Sequence, residues 1–307
     1  LFHQLITEYQ MSKTSKGTVY QQITDNIVKS IEAGVVPWKK EWKAGTNIMP
    51  MSHTTERCYT GGTNILQLWV TQSLNDYEHN RWLTYKAAKD LGFCVGKGEK
   101  ATLVTYVGTG GEKDEEGDRT YRYHKPYWVF NVAQVPGLVE TIPVPEVNDH
   151  NPADVEMATI IPKALSVLVV DGQPCYVPST DIIKMPDLNL FTTPEAYMST
   201  LAHECVHATG AKQRCDRQLT GRFGDEAYAM EELIAELGAA FISGQWGQSY
   251  QLEQHASYLA SWLKVFKSDP KALFAASTKA TQAVAYIENS LRTHRCERSS
   301  LDNLIAA

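Results

Sequence analysis

The sequence predicts an α+β fold in two domains, and three observations predict it. At 307 residues the chain exceeds the size at which single cores stop growing, about 250–300 residues. Residues 140–154 gather proline, asparagine and acidic residues with little apolar periodicity, the composition of a linker. Ahead of that stretch helical and strand-like periodicities are mixed, whereas behind it helices dominate with a few short strands. The expected division is 1–10 as an extension outside the fold, 11–139 as the first domain, 140–154 as the linker and 155–307 as the second domain.

Taken in order, Ile23, Ile27 and Ile31 recur at intervals of four within Val19 to Ala33, which predicts an amphipathic helix ended by Gly34 and Pro37. A compact basic and aromatic segment follows, Pro37 to Lys43. Ala101 to Val107 and Tyr127 to Val132 are β-branched or aromatic runs, read as a strand pair joined by a mobile loop over Gly108 to Asp118. Beyond the linker, Ala153 to Leu168 reads as a helix interrupted at Pro162. Pro174 to Pro178 and Asp181 to Met185 read as short strands whose flanking prolines suit edge positions. Thr193-Pro194-Glu195 is a helix start, threonine as N-cap and proline in the first turn, and that helix runs to Gly210. After a polar break at Arg222 to Asp225, helices are expected over Glu226 to Ser243, near Leu252 to Phe266 and over Pro270 to Arg292.

Composition narrows the class. Hydrophobic residues at 43% and charged residues at 21% exclude disordered and collagen-like chains. No run of about 18 apolar residues predicts a membrane span, and residues 1–10 lack the features of a secretory signal, so a cytoplasmic location is expected. The six cysteines form no CxxC pair and no regular framework, which fits reduced thiols. The net charge of −6 is unevenly spread: residues 11–111 hold 12 Lys/Arg against 8 Asp/Glu, and residues 140–307 hold 13 against 21. The N-terminal part is therefore the one suited to face an anion.

His203-Glu204-Cys205-Val206-His207 is an HExxH motif on an expected helix. One turn apart, the two histidines share a face with Cβ atoms roughly 5–6 Å apart, so both imidazoles can reach one ion. Glu204 lies beside that face, placed to accept a proton from a water whose pKa a catalytic Zn²⁺ lowers to about 7. Such a site needs a third protein ligand. Glu232 is expected to supply it from a second helix, with Glu236 one turn on holding the other ring nitrogen of a ligating histidine. Glu231 points about 100° away on the same helix, and Glu231 or Glu236 stands as the alternative third ligand. An HExxH string also arises on helices that hold no ion; the Glu231 to Glu236 segment and the apolar run from Met198 to Val206 favour a metal. Two histidines and a glutamate suit zinc, with manganese the alternative. The strand Asp181 to Met185 is expected as an edge on which an extended peptide could pair. His255 and Arg217 are secondary candidates for oxyanion stabilisation, with a solvated role the plainer reading.

In the first domain Lys39, Lys40 and Lys43 interleave with Trp38 and Trp42, and Lys97 and Lys100 follow among Trp82, Tyr85 and Phe93. Cations for phosphates and rings for exposed bases are the parts of a single-strand binding surface. Buried tryptophans and a solvated lysine face would give the same composition.

These residues together resemble the ArdC-type plasmid antirestriction proteins. The N-terminal half is similar to their single-stranded-DNA-binding domain through Gly34 to Trp38 with Trp42, Tyr59 to Asn64, Trp82 to Tyr85, Gly96 to Lys100 and Val129 to Asn131. The C-terminal half is similar to their zincin-like metallopeptidase domain through Tyr176 to Pro178, Asp181 to Pro186, His203 to Gly210 and Glu231 to Glu236. Cys205 stands where an aliphatic residue is common. The resemblance implies a plasmid- or phage-borne protein of a bacterial host that binds single-stranded DNA and shields incoming DNA from restriction. It leaves open an active metallopeptidase that cuts a host protein such as a restriction component, with DNA binding as its means of targeting.

Overall fold

A computed structural model describes residues 18–36, 38, 48–113, 119–143, 153–217, 226–247, 250 and 256–305. The linker expected at 140–154 falls mostly outside these, as do the extension, the break at 222–225, His255 and the residues Lys39, Lys40, Trp42 and Lys43.

Helix α1, Val19–Glu32, buries Ile23, Ile27 and Ile31, as the spacing of four requires. Thr18 caps its start by accepting from Gln21 N at 3.3 Å. Helix α2, Gly62–Leu74, is buried from Gly62 to Val70 and was not legible as an amphipathic pattern because most of its circumference is covered. Asn64 ties it to a strand: its Nδ2 donates to Thr105 O at 2.7 Å and its Oδ1 accepts from Thr105 N at 2.8 Å. Strands β1 (Met51–Ser52) and β2 (Arg81–Leu83), helix α3 (Tyr85–Asp90), and strands β3 (Thr102–Lys113) and β4 (Arg119–Asn131) complete this half. The sheet order is β1-β2-β4-β3, parallel only between β1 and β2. The strand pair is longer than expected, since Gly108 to Lys113 continues β3 and only 114–118 lie outside the described residues. The ladder runs on through the glycines, with a register shift between Gly110 and Lys113. Pro126 is tolerated inside β4 because β2 covers β4 only at Phe130 and Asn131, leaving one side without a ladder.

In the second half, helix α4 (Ala153–Ala164) carries Pro162 in its last turn and ends earlier than expected. Leu168 opens a strand instead, β5 (Leu168–Asp171), which joins β6 (Cys175–Val177) and β7 (Ile182–Met185) in the order β5-β7-β6. Of the two strands expected at edges, β6 is one, whereas β7 is central, parallel to β5 and antiparallel to β6, with β5 the other edge. Prolines flanking a strand end it without telling which side of it is free. Helices α5 (Pro194–Thr209), α6 (Glu226–Gln245), α7 (Ala256–Ser268) and α8 (Ala272–Ile305) follow. Thr193 caps α5 by accepting from Ala196 N at 3.2 Å.

The α+β class with two parts holds, and the parts share one hydrophobic cluster. Trp69 of α2 faces Phe241 of α6 at 5.7 Å, and Tyr20 of α1 meets Phe274 of α8 edge-on at 4.6 Å. Thr63 and Ser277 share a buried hydroxyl hydrogen bond of 2.8 Å between α2 and α8. Trp38, expected as a stacking ring for bases, is 2% exposed and packs 6.2 Å from Trp262 of α7; it is a core residue, because the apolar helices leave a site for it. Trp82 is likewise buried and donates to Asn80 Oδ1 at 2.7 Å. No helix among the described residues is long and apolar enough to cross a membrane.

Candidate metal centre

The site is made by two helices brought unusually close. A Cβ added to Gly238 of α6 would stand 2.8 and 2.9 Å from the two methyls of Val206 on α5, so only glycine lets α6 lie against the HExxH turn. Glycine within a helix costs about 1 kcal/mol relative to alanine, which this packing offsets. Gly238→Ala is expected to lower stability by about 1–3 kcal/mol through overpacking; an unchanged urea midpoint would show that the helices can part at no cost.

At this crossing three donor atoms converge. His203 Nε2 and His207 Nε2 are 3.1 Å apart, and Glu232 places one carboxylate oxygen 3.6 Å from the first and the other 3.5 Å from the second. The edge of a tetrahedron with metal–ligand bonds of 2.0–2.1 Å is about 3.4 Å, so this triangle has the dimensions of one face of a tetrahedral divalent site. His203, His207 and Glu232 are the group of potential ligands that the described residues bring within reach of one ion. All three are largely buried, and the two imidazole nitrogens lie close enough to share either a proton or a cation.

The support around the triangle differs from expectation. Glu236 does not hold a ligand imidazole; its Oε2 accepts from the buried Tyr250 hydroxyl at 2.7 Å. Glu231 takes that place, its Oε1 3.2 Å from His207 Nδ1. The 100° offset that seemed to turn Glu231 away brings it onto the far nitrogen once the helices are this close. Arg217, buried, grips the same carboxylate with Nε at 3.0 Å from Oε2 and Nη2 at 2.7 Å from Oε1. It also donates to Val206 O and Thr209 Oγ1 at 2.8 Å, closing the C-terminal turn of α5. Arg217 thus positions a positioning residue and has no free edge for an oxyanion. His203 Nδ1 is buried with no protein partner.

Electrostatics follow the geometry. Burial alone would lower the His207 pKa, but the Glu231 and Glu232 carboxylates beside it raise it well above the ordinary imidazole value. Burial would raise Glu232 and Glu231, and the histidines, with Arg217 on Glu231, hold both below the usual carboxylate range. The cluster is an anionic nest that accepts positive charge, whether protons or a divalent ion.

A cavity of about 390 Å³ opens over the triangle, lined by His203, Glu204, His207 and Glu232 together with Tyr228 of α6 and Cys175 and Tyr176 of β6. The Tyr228 hydroxyl lies near Tyr258 and the Glu232 carboxylate, and burial above all, with these neighbours, keeps it protonated far past neutral pH. Sequence reasoning passed over Tyr228, although it lies one helical turn before Glu232. Below the cavity, Arg214 joins α5 to the sheet through Asp181 at 2.8 and 2.9 Å, and Tyr176 donates to the same carboxylate at 2.8 Å. In the N-terminal half Lys97 and Lys100 are exposed.

Residues 17–130 match the family model described as the N-terminal domain of anti-restriction factor ArdC, and residues 158–279 that described as a zincin-like metallopeptidase. The chain is 36% identical over 280 residues to the uncharacterized protein y4eC of Sinorhizobium fredii (strain NBRC 101917 / NGR234), covering 86% of this chain and 89% of that one. It is 31% identical over 296 residues to a DNA primase TraC of Escherichia coli, covering 89% of this chain but spanning only 27% of the primase. The crystal structure of the antirestriction protein ArdC from plasmid R388 in its Mn(II)-bound form superposes with a TM-score of 0.74 at 33% identity, covering 90% of this chain and 98% of that one.

Proposed function

The chain belongs to the ArdC family of antirestriction proteins, and from that premise we propose that it binds single-stranded DNA through its N-terminal half and shields incoming plasmid DNA from restriction in the bacterial cytoplasm, while its C-terminal half carries a zinc-dependent peptidase site. The observation that carries the metal reading is the triangle of His203, His207 and Glu232 donor atoms at 3.1 to 3.6 Å. These three residues would hold the ion, zinc by the N, N, O donor set, with manganese admitted by the same ligands. A divalent ion there would supply Lewis acidity and a water of lowered pKa.

The chain's own residues supply the rest. Glu204 takes a proton from the attacking water and returns it to the leaving amine. Tyr228 donates its hydroxyl toward a polarised carbonyl oxygen. The outer edge of β6, unpaired among the described residues, lines the cavity and pairs with an extended peptide backbone, a role expected of β7. Glu231 and Arg217 hold His207 in place.

For the N-terminal half, exposed Lys97 and Lys100 are assigned to phosphates; Lys39, Lys40 and Lys43 are assigned the same role and Trp42 a base, and the boundary between the halves is assigned to 140–154. Affinity for an unstructured strand should fall with salt by about 0.7 log units per phosphate contact for each tenfold rise. Lys97→Ala combined with Lys100→Ala should flatten that slope in a fluorescence anisotropy titration. A wild-type affinity indifferent to salt would remove strand binding from the account.

A further inference from the structure

A second cavity of about 530 Å³ lies in the N-terminal half between α1, α2, the turn before β3 and β4. Its size is that of a small-molecule site, about 300–1,000 Å³, yet its walls are not those of an apolar pocket. Gln22 and Asn26 project from successive turns of α1 and Gln67 comes from α2, while Trp128 of β4 contributes an aromatic ring. Glu99 and Lys100 stand on the turn that borders it, both exposed.

One of these groups is incomplete within the protein. Gln67 is 2% exposed and its Oε1 is buried with no hydrogen-bond partner. A buried acceptor left without a donor forfeits its hydration for nothing, so such groups ordinarily have a partner. Glu99 offers a second acceptor, its Oε2 already taking a hydrogen bond from Gln134 at 2.8 Å.

Ligand classes can be weighed against these walls. An apolar molecule would strand the amides. A free phosphate would meet one lysine and the Glu99 carboxylate at the same opening, a poor balance for a dianion. A planar, uncharged, polar heterocycle attached to a single anion satisfies all of them: amide groups for its edge, a ring for its face, and Lys100 for the phosphodiester. We propose that this cavity receives one unstacked nucleobase of the bound strand, with Gln67 and Glu99 accepting from the base edge, Gln22 and Asn26 completing it and Trp128 covering its face. The proposal rests on the strand-binding reading above and adds base selectivity to it. Because the groups in want of a donor are acceptors, bases with an exocyclic amino group are preferred to thymine.

The test uses the full chain and two kinds of ligand. In saturation-transfer NMR, the base protons of dAMP, dCMP and dGMP should receive magnetisation more strongly than those of TMP, and Gln67→Leu should abolish the difference. Since Gln67 is buried, the exposed pair Gln22→Ala with Asn26→Ala provides the same readout without disturbing the core. In anisotropy titrations, an ordinary single strand should bind about tenfold more tightly than an abasic strand of equal length, and either variant should close that gap. Equal transfer in wild type and both variants, or no transfer at all, overturns the base site. Equal affinity for ordinary and abasic strands overturns it too, while salt-dependent binding of both leaves the strand-binding reading intact. Selective transfer to monophosphates by a chain without affinity for strands would do the reverse, upholding the cavity as a nucleotide site and ending the strand-binding reading.

Discussion

Glu204→Gln is expected to keep the divalent ion and to lower peptide hydrolysis by about 10²- to 10⁴-fold, the usual contribution of a positioned general base. Glu204 lines the cavity beside both histidines but is not one of the three converging donors. Glutamine preserves its shape and removes its basicity. His207→Ala serves as the contrast, since it removes a vertex of the 3.1 to 3.6 Å triangle and should lose ion and hydrolysis together. Elemental analysis of dialysed protein and a quenched-peptide library read the two effects separately. Undiminished cleavage by Glu204→Gln would remove it from the chemistry, and loss of the ion would make it a ligand. The same variant, carried into a plasmid-transfer assay, decides what protects the DNA. Retained protection fits strand binding as the protective step, and lost protection would make peptide cleavage that step.

The second large effect is on stability. Arg217→Met should destabilise the chain by about 3–5 kcal/mol, because it leaves the Glu231 carboxylate buried without its main counter-charge. Both side chains are largely shielded, at 6% and 15% exposure, so solvent cannot replace the guanidinium. Val206 O and Thr209 Oγ1 lose their donor at the same time. Adding Glu231→Leu should restore much of the loss, since a buried ion pair exchanged whole for apolar groups is often near neutral. Urea unfolding of the two singles and the double gives the coupling. If Arg217→Met unfolds like wild type, the clamp is dispensable and the placement of His207 must come from elsewhere.

What the sequence made legible was what repeats locally. The spacing of Ile23, Ile27 and Ile31, the Thr193-Pro194 helix start and the four-residue step from His203 to His207 each describe one helix on its own, and each reappears in the structure. What escaped depends on how elements meet. On an isolated helix Glu231 turns away from Glu232 and stands only as an alternative ligand, whereas the contact permitted by Gly238 brings it onto the far nitrogen of His207. Trp38 looked like a ring for bases because the lysines beside it are visible in sequence, whereas Trp262, more than 200 positions later, is not. The polar residues of the helix Gly62–Leu74 are largely buried with the rest of it, so no solvent-facing stripe betrays a period, and β5 is a run too short to separate from the end of a helix. Edge and centre positions in the sequence β5, β6, β7 are a matter of crossing order, which no local pattern encodes.

The apolar mass shared by the two halves has a thermodynamic corollary. Severing the chain between them would strip cover from Trp38 and Trp69 on one side and from Trp262 and Phe241 on the other, so neither piece retains a closed interior. Melting is then expected as a single cooperative event, and free energy gained by gripping an ion at one end would be lent to the whole body, including the N-terminal half.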